Sequence, residues 1–419
     1  MADKPSRLVP KLRFPEFVQG PGWDHARIAD LVETVTPPKK LTTSQYLADG
    51  RFPIIDQSAS FICGWTNDDE AVITRPLPVI VFGDHTCVLK FINQPFAQGA
   101  DGIKIFTARS CVSTVYLYHQ LSHRPVVMEQ YKRHFSALKK KVVCFPDPKS
   151  GEQQRIADCL GSLDDLIASE DRKLDALRRH KQGLMQQLFP QPGEAQPILR
   201  FPEFRGDPTW SAPQFSDLYR FKRTNTLSRD KLNYETGTIR NIHYGDIHTK
   251  FKPLFRLDEE HVPYVNPDAS ANGFNDGTFC EEGDIVLADA SEDLDDVGKA
   301  IEVFSLDGER VVAGTHTILA TRRGKVPVIG FGGQLFQSAA VRAGIKKEAQ
   351  GAKVYGISAN RISTVPVPIQ PTVAEQQEIA KCFSALDTWI GAQLAKLDAL
   401  RTHKQGLLQQ LFPSLDDNE

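Results

Sequence analysis

A stretch of 39 residues occurs twice in this chain. EQQRIADCLGSLDDLIASEDRKLDALRRHKQGLMQQLFP, at 152–190, returns at 375–413 as EQQEIAKCFSALDTWIGAQLAKLDALRTHKQGLLQQLFP, 223 residues later and without a gap. Chance does not give such a match, so the chain carries an internal duplication. Whatever it folds into must hold two copies of one long element.

Both copies read as helices. In the first, apolar residues recur at spacings of four and three through Ile156, Leu160, Leu163, Ile167, Leu174, Leu177, Leu184 and Leu188. In the second they are Ile379, Phe383, Leu386, Ile390, Leu397, Leu400, Leu407 and Leu411. This is a coiled-coil seam. Pro190 and Pro413 end the helices, because proline lacks the donor that a further turn needs. At about 1.5 Å per residue each rod is roughly 57 Å long. Ser150 with Gln153 and Thr372 with Glu375 have capping-box spacing at the two starts.

A narrow apolar stripe of that length needs a partner, and the other copy is the nearest. The seam is broken by Glu170 and Lys181 in the first copy and by Gln393 and Lys404 in the second. An antiparallel pairing that sets Glu170 against Lys404 and Lys181 against Gln393 matches polar layer to polar layer. It also brings Leu163 opposite Leu411, Leu174 opposite Leu400 and Leu184 opposite Ile390. This is the expected register.

A second repeat precedes each helix. LRFPEF stands at 12–17 and at 199–204, followed at matching offsets by Trp23 and Trp210 and by Asp30 and Asp217. The repeat unit is therefore a short opening motif, a variable body and a long helix, and the second body is the longer. The expected segments are a body at 1–149 with a loose start over 1–11, a helix at 150–190, a linker at 191–198, a second body at 199–370, a second helix at 371–413 and a tail at 414–419. Both bodies read as mixed α/β. Strands are expected at 78–82, 87–92, 238–247, 284–290 and 316–323, and helices near Val115 and over 128–138. The fold class is α+β, with a pseudo-twofold duplication and the two long helices paired as an antiparallel coiled coil.

Composition narrows the function. The chain has 419 residues, a formal charge of −2 and 41% hydrophobic residues, which argues against coating nucleic acid non-specifically. Seven scattered cysteines without a CxxC pair fit free thiols in a reducing cytoplasm. The start has no apolar signal region, and no run of 18 apolar residues occurs, so neither secretion nor a membrane span is expected.

Catalytic motifs are missing. There is no GxxxxGK[ST], GFGG at 330–333 is not a GxGxxG loop and reads as a turn, and no Asn/Asp-Pro-Pro-aromatic run of amino methyltransferases occurs. His119 and His123 lack a third ligand at a plausible position and read as ordinary helix residues. The acidic string Glu292, Asp293, Asp295 and Asp296 lacks EF-hand spacing. What remains is recognition chemistry, the side chains that hold phosphates and read base edges. The first body offers Lys39, Lys40, Gln57, Ser58, Lys90, Lys104 and Arg109. The second offers Thr224, Asn225, Arg240, His243, Tyr244, His248 and Lys250. A solitary enzyme and a scaffold without nucleic acid are the competing readings. The first lacks a cofactor loop, and the second predicts no preference among DNA sequences.

Taken together, the matched helices, the paired LRFPEF motifs, IHYGDIHTKF at 242–251, VIVFGDHTCVLKF at 79–91, PFAQGADGIKIF at 95–106 and ADASEDLDDVGKA at 288–300 resemble the specificity subunit of type I restriction–modification systems. The resemblance covers nearly the whole chain. It implies that the bodies are target-recognition domains, each reading one half of a bipartite site in double-stranded DNA. It implies that the paired helices act as spacer and dock two modification subunits, which methylate adenine at N6. Restriction subunits would join to translocate and cut. It further implies a non-catalytic chain that binds no cofactor, with S-adenosylmethionine, ATP and magnesium on the partner subunits. Gly183 and Gly406, alike in both copies, are then expected to admit a partner chain closely.

Overall fold

The computed structural model describes residues 8–128, 132–270 and 274–413. The tail expected at 414–419, the first seven residues of the loose start, and 129–131 within the helix expected over 128–138 lie outside the described residues. The long helices run over Glu152–Leu188 and Val373–Leu411. The chain divides into two compact units, Met1–Arg172 with Leu394–Glu419, and Lys173–Gln393. Each unit therefore holds one body, the first part of the helix that follows it and the last part of the other helix.

Within unit 1 the two helix segments run antiparallel. Asp164 pairs with Lys404, and further along the first helix Glu170 pairs with Lys396 at 2.6 Å. Asp171 meets Arg401 at 2.9 Å. Unit 2 repeats the first of these contacts, with Lys181 on Asp387 at 2.6 Å. Lys181 and Lys404 are equivalent in the duplication, as are Asp387 and Asp164. These pairs correct the expected register, because Lys404 is held by Asp164 and not Glu170, and Lys181 reaches Asp387. The physical reason is side-chain length. A lysine in a seam lays its stem along the apolar layer and carries its ammonium out to a flanking carboxylate, so it needs no polar residue opposite.

The seam residues themselves are sheltered. Leu174, Leu386, Gln393 and Leu397 are buried. Leu163, Ile167, Glu170, Leu177, Lys181, Leu184, Ile390, Leu400, Lys404 and Leu407 are half-buried.

The capping boxes are not formed, and the residues concerned do other work. Ser150 Oγ accepts the Glu152 amide at 3.2 Å. The Gln153 side chain turns into the body, donating to Pro146 O at 2.8 Å and Cys111 O at 3.1 Å and accepting from Ser113 N. Glu375 is taken by an arginine. Arg200 Nε donates to Glu375 Oε1 at 2.9 Å, just as Arg13 Nε donates to Glu152 Oε1 at 2.7 Å. Arg13 and Arg200 belong to the two LRFPEF motifs, and the leucine before each ties the other helix. Leu12 N donates to Gln410 O and Leu199 N to Gln187 O. The opening motif thus binds one helix start and one helix end, which explains why motif and helix repeat together.

The apolar Leu-Phe pair closing each helix completes the cores. Leu411 and Phe412 join Trp23, Tyr116, Ile156 and Leu160 in unit 1. Leu188 and Phe189 join Trp210, Phe331, Ile379 and Phe383 in unit 2. Burial of such large side chains stabilises by about 1.5–3 kcal/mol each.

The two bodies, unlike in sequence, share the strand order of their first sheet, whereas the parallel pair of the second sheet is central in unit 1 and at the edge in unit 2. Unit 1 has an antiparallel sheet ordered 32–34, 103–108, 79–83 and 89–92, and a second sheet ordered 64–66, 52–55, 96–98 and 72–73. In unit 2 the first sheet runs 219–222, 317–322, 285–288, 300–305, with 254–256 added at its edge. The second runs 232–233, 264–265, 239–242, 310–313. The single parallel pairing of the second sheet, 52–55 with 96–98, recurs as 239–242 with 310–313.

The strand expected at 78–82 forms one residue later, at Val79–Gly83, and those expected at 87–92, 284–290 and 316–323 form over shorter spans. The strand expected at 238–247 stops at Ile242, because His243 caps a helix at Tyr244–Thr249. Helices form at Thr114–His123 and, of the expected 128–138 helix, at Phe135–Lys140. No helix of the described residues is long and apolar enough to cross a membrane.

Gly183 and Gly406 have no atom within 4 Å of where a Cβ would stand. Alanine at either position is therefore expected to stabilise its unit by about 1 kcal/mol, read as a raised unfolding midpoint of the free chain.

Candidate nucleic-acid interface

In each unit the candidate residues gather where the parallel pair of strands ends. In unit 1 the chain leaves strand Phe52–Ile55 into a loop whose first residue, Asp56, accepts the Ser58 amide at 2.8 Å. Gln57 follows, its carbonyl accepting from Thr86 Oγ1 at 2.7 Å. Lys90 is only 4% exposed. Its ammonium donates to the carbonyls of Asp56 at 2.9 Å and Ser60 at 2.5 Å. It shapes the 56–61 loop and does not present its charge at the surface. Lys104 stands 6.0 Å from the Phe135 ring.

Lys40 is paired with Asp101 at 2.7 Å and Lys39 with Asp68 at 2.6 Å, both exposed. Exposed pairs of this kind contribute about 0–1 kcal/mol, so exchanging either carboxylate for another anion would cost little. Arg109 is not part of this group. It follows the other end of strand Ile103–Ala108, about 20 Å away at strand rise, beside Glu33 at 3.9 Å.

Unit 2 builds a denser cluster. His243 Nδ1 accepts the Gly245 amide at 3.1 Å, which leaves the proton of the neutral ring on Nε2. Burial, and then Arg229, lowers its pKa. Asp246 is buried and receives Arg229 at 3.1 Å and Lys250 at 2.8 Å. Hydrogen bonding to Asp246 raises the pKa of Lys250, whose ammonium lies 5.9 Å from the Tyr234 ring. Tyr234 stacks on His261 at 4.4 Å. Tyr244 has His243, His316 and His248 around it at 4.7, 5.3 and 6.3 Å. His248 Nε2 is 3.0 Å from Ala290 O, and His316 Nδ1 is 3.3 Å from Asp289 Oδ1.

Two candidates serve the scaffold. Asn225 Nδ2 bridges Asn241 Oδ1 at 2.8 Å and Ala313 O at 2.9 Å, with Thr224 half-buried beside it. Arg240 pairs with Glu309 at 2.8 Å and lies 3.8 Å from the Tyr264 ring.

Sequence reasoning missed Arg229, Tyr234, His261, Asp289 and His316. The alternation of aromatic and basic residues through 229–250 was a usable signal for the first two. Asp289 and His316 come from loops of other strands, and only the sheet order brings them in.

The His119 and His123 pair is part of the unit 1 core. His119 is buried 3.7 Å from Asp164, its pKa pushed down to about 4 chiefly by burial, and His123 stacks on Phe412. Among the described residues no cluster of three or more His, Cys, Asp or Glu is arranged to hold a metal.

The molecule is thus a duplicated α+β protein whose two like-folded units share a pair of long helices. That fold is the fold of type I restriction–modification specificity subunits. It superposes on the S subunit of the M. genitalium type I system with a TM-score of 0.62, over 97% of this chain and 100% of that one, at 15% identity. It superposes with a TM-score of 0.50 and 14% identity on a chain from a structure of type I restriction–modification complex assembly and conformational transition, over 94% and 98% of the two chains. In sequence it is 22% identical over 189 residues to the specificity subunit of the type I restriction enzyme MjaVIII of Methanocaldococcus jannaschii, spanning 42% of this chain and 43% of that relative. No family model matches. These likenesses point to the family that the sequence motifs resemble.

Proposed function

We propose that this chain is the non-catalytic, DNA-reading subunit of a type I restriction–modification complex. Each body reads one half of a bipartite duplex site. The long helices set the spacing between the halves and dock two adenine-N6 methyltransferase subunits, which bring S-adenosylmethionine. Restriction subunits bring ATP and magnesium.

One observation carries this reading. The loop that leaves the first strand of the parallel pair bears different residues in the two bodies: Asp56, Gln57 and Ser58 in one, His243, Tyr244 and Gly245 in the other. A scaffold that presents unlike hydrogen-bonding groups from like positions suits a target whose halves differ in sequence. The shared fold supports it, as do the exposed lysine–carboxylate pairs that a phosphate backbone can exchange.

The test is to purify the chain with a type I methyltransferase subunit and map methylated adenines over random duplexes. A single two-part motif is expected. Methylation without sequence preference, or unchanged when this chain is omitted, overturns the reading. In the same complex Gly183→Ala and Gly406→Ala are expected to weaken co-purification of the partner while stabilising the free chain. Unchanged assembly removes the docking role of these glycines.

A further inference from the structure

Backbone hydrogen bonds align the two bodies without recourse to side chains. Gly99 N donates to Ile55 O as Gly314 N donates to Ile242 O, and Asp84 N donates to Gly102 O as Asp289 N donates to His316 O. Asp56 and His243 then fall together. Each caps the amide two residues on, at Ser58 and Gly245. Gln57 therefore corresponds to Tyr244, and Gly102 to His316.

These pairs touch within their own units. A Cβ on Gly102 would stand 2.7 Å from Gln57 Nε2, so the amide lies directly over the glycine. In unit 2 the Tyr244 and His316 rings are 5.3 Å apart. One place in the fold is filled by an amide over bare backbone in one unit and by two rings in the other.

The backbone at this place is left-handed in both, with φ 99° at Gly102 and 56° at His316. Glycine adopts it freely, whereas a histidine there is strained. Burial does not offset that cost, since the His316 side chain is 58% exposed. The ring lies instead beside an open cleft of about 460 Å³ whose lining includes Asp289, Gln350, Ser358 and Arg361. Asp289 can only accept, so in the neutral ring Nδ1–H faces it and the Nε2 lone pair is left for another donor. In unit 1 the Gln57 Oε1 atom is buried and has no hydrogen-bond partner among the described residues.

We infer that this position, Gln57 over Gly102 in unit 1 and Tyr244 with His316 in unit 2, determines one base of each half-site. The inference rests on the DNA-reading function proposed above and names the side chains that do the reading. Turned off Gly102, which frees its buried Oε1, the Gln57 amide offers a donor and an acceptor together, the pattern that matches the N6/N7 edge of adenine. His316 offers an acceptor suited to an exocyclic amino group, with Tyr244 beside it.

The experiment compares wild type, Gln57→Ala and His316→Gly, each in complex with the methyltransferase subunits, by sequencing methylated random duplexes. Gln57→Ala is expected to lose about ten- to a hundredfold discrimination at one base of one half-site, and His316→Gly the same at one base of the other. His316→Gly relieves the backbone, so its unfolding midpoint is expected to equal or exceed that of wild type, which separates lost reading from lost folding. Unaltered base preference in both variants, or one variant altering both halves, overturns this inference and leaves the proposed function standing. A wild-type complex without any sequence preference overturns the function itself.

Discussion

Arg200→Ala is expected to destabilise unit 2 by about 3–5 kcal/mol, the usual cost of removing one partner from a buried ion pair. Glu375 is 1% exposed. It receives two bonds from Arg200, at 2.9 Å to Oε1 and 2.5 Å to Oε2, and a further bond from Gln370 Nε2. Alanine leaves that carboxylate buried with the glutamine alone. It also removes the donor to the Asp207 carbonyl at 3.3 Å and one of two donors to the Pro208 carbonyl, which keeps Gln370 Nε2 at 3.2 Å.

Arg13→Ala is expected to do the same in unit 1. There Glu152, also 1% exposed, keeps a bond from Trp23 Nε1 at 3.3 Å. The cost comes from stranding a charge, so removing both charges is expected to restore most of the stability. Arg200→Met with Glu375→Leu in one chain is the discriminating variant. Hydrogen exchange of peptides from unit 2 reads the effect. An Arg200→Ala chain exchanging like wild type would show that the pair holds nothing together.

That contact also marks where the sequence was legible and where it was not. The helices could be read because a heptad repeat depends only on residues near one another along the chain. The LRFPEF motif was visible as a repeat, but its purpose was not, because Arg13 and Glu152 are far apart in sequence. The same distance defeated the capping boxes, in which Gln153 and Glu375 had better partners in the bodies. The expected register sets polar layer against polar layer, whereas Lys181 and Lys404 reach flanking aspartates.

Within the site, lysine type alone could not separate Lys90, which holds a loop from inside, from the exposed Lys39 and Lys40. His316 was invisible, because a left-handed backbone at a non-glycine residue leaves no trace in the sequence. GFGG at 330–333 reads as a turn, and the chain turns at Gly330 and Phe331, but Gly332 and Gly333 already open a short helix at Gly332–Leu335. Its glycines serve a buried acid.

That acid gives the second large effect: Glu302→Gln is expected to remove a pH dependence of about 3 kcal/mol from the stability of unit 2. Glu302 is 0% exposed. Its Oε2 accepts the amides of Gly330 at 3.0 Å and Gly333 at 2.7 Å. Oε1 has no hydrogen-bond partner among the described residues, nor has the Tyr219 hydroxyl. Both stand just over 3 Å from where a Cβ on Gly332 would be, at 3.1 and 3.2 Å. Burial pushes the carboxyl from 4.5 up to about 7, against the pull of the two amides.

With its folded pKa above the unfolded value, the carboxyl keeps its proton longer in the folded state. Its contribution to stability is therefore fully present below about 4.5, declines as the pH rises towards 7, and is lost above that. The shift corresponds to about 3 kcal/mol. Glutamine keeps an acceptor for the two glycine amides and turns an N–H towards the Tyr219 oxygen, with no charge to bury. Chemical denaturation of wild type and Glu302→Gln at pH 5 and pH 8.5 measures the difference, other titrating groups being common to both chains. The variant is expected to be close to wild type at the lower pH and more stable at the higher. Curves that stay parallel across this range would mean that Glu302 ionises in the fold as it does in water.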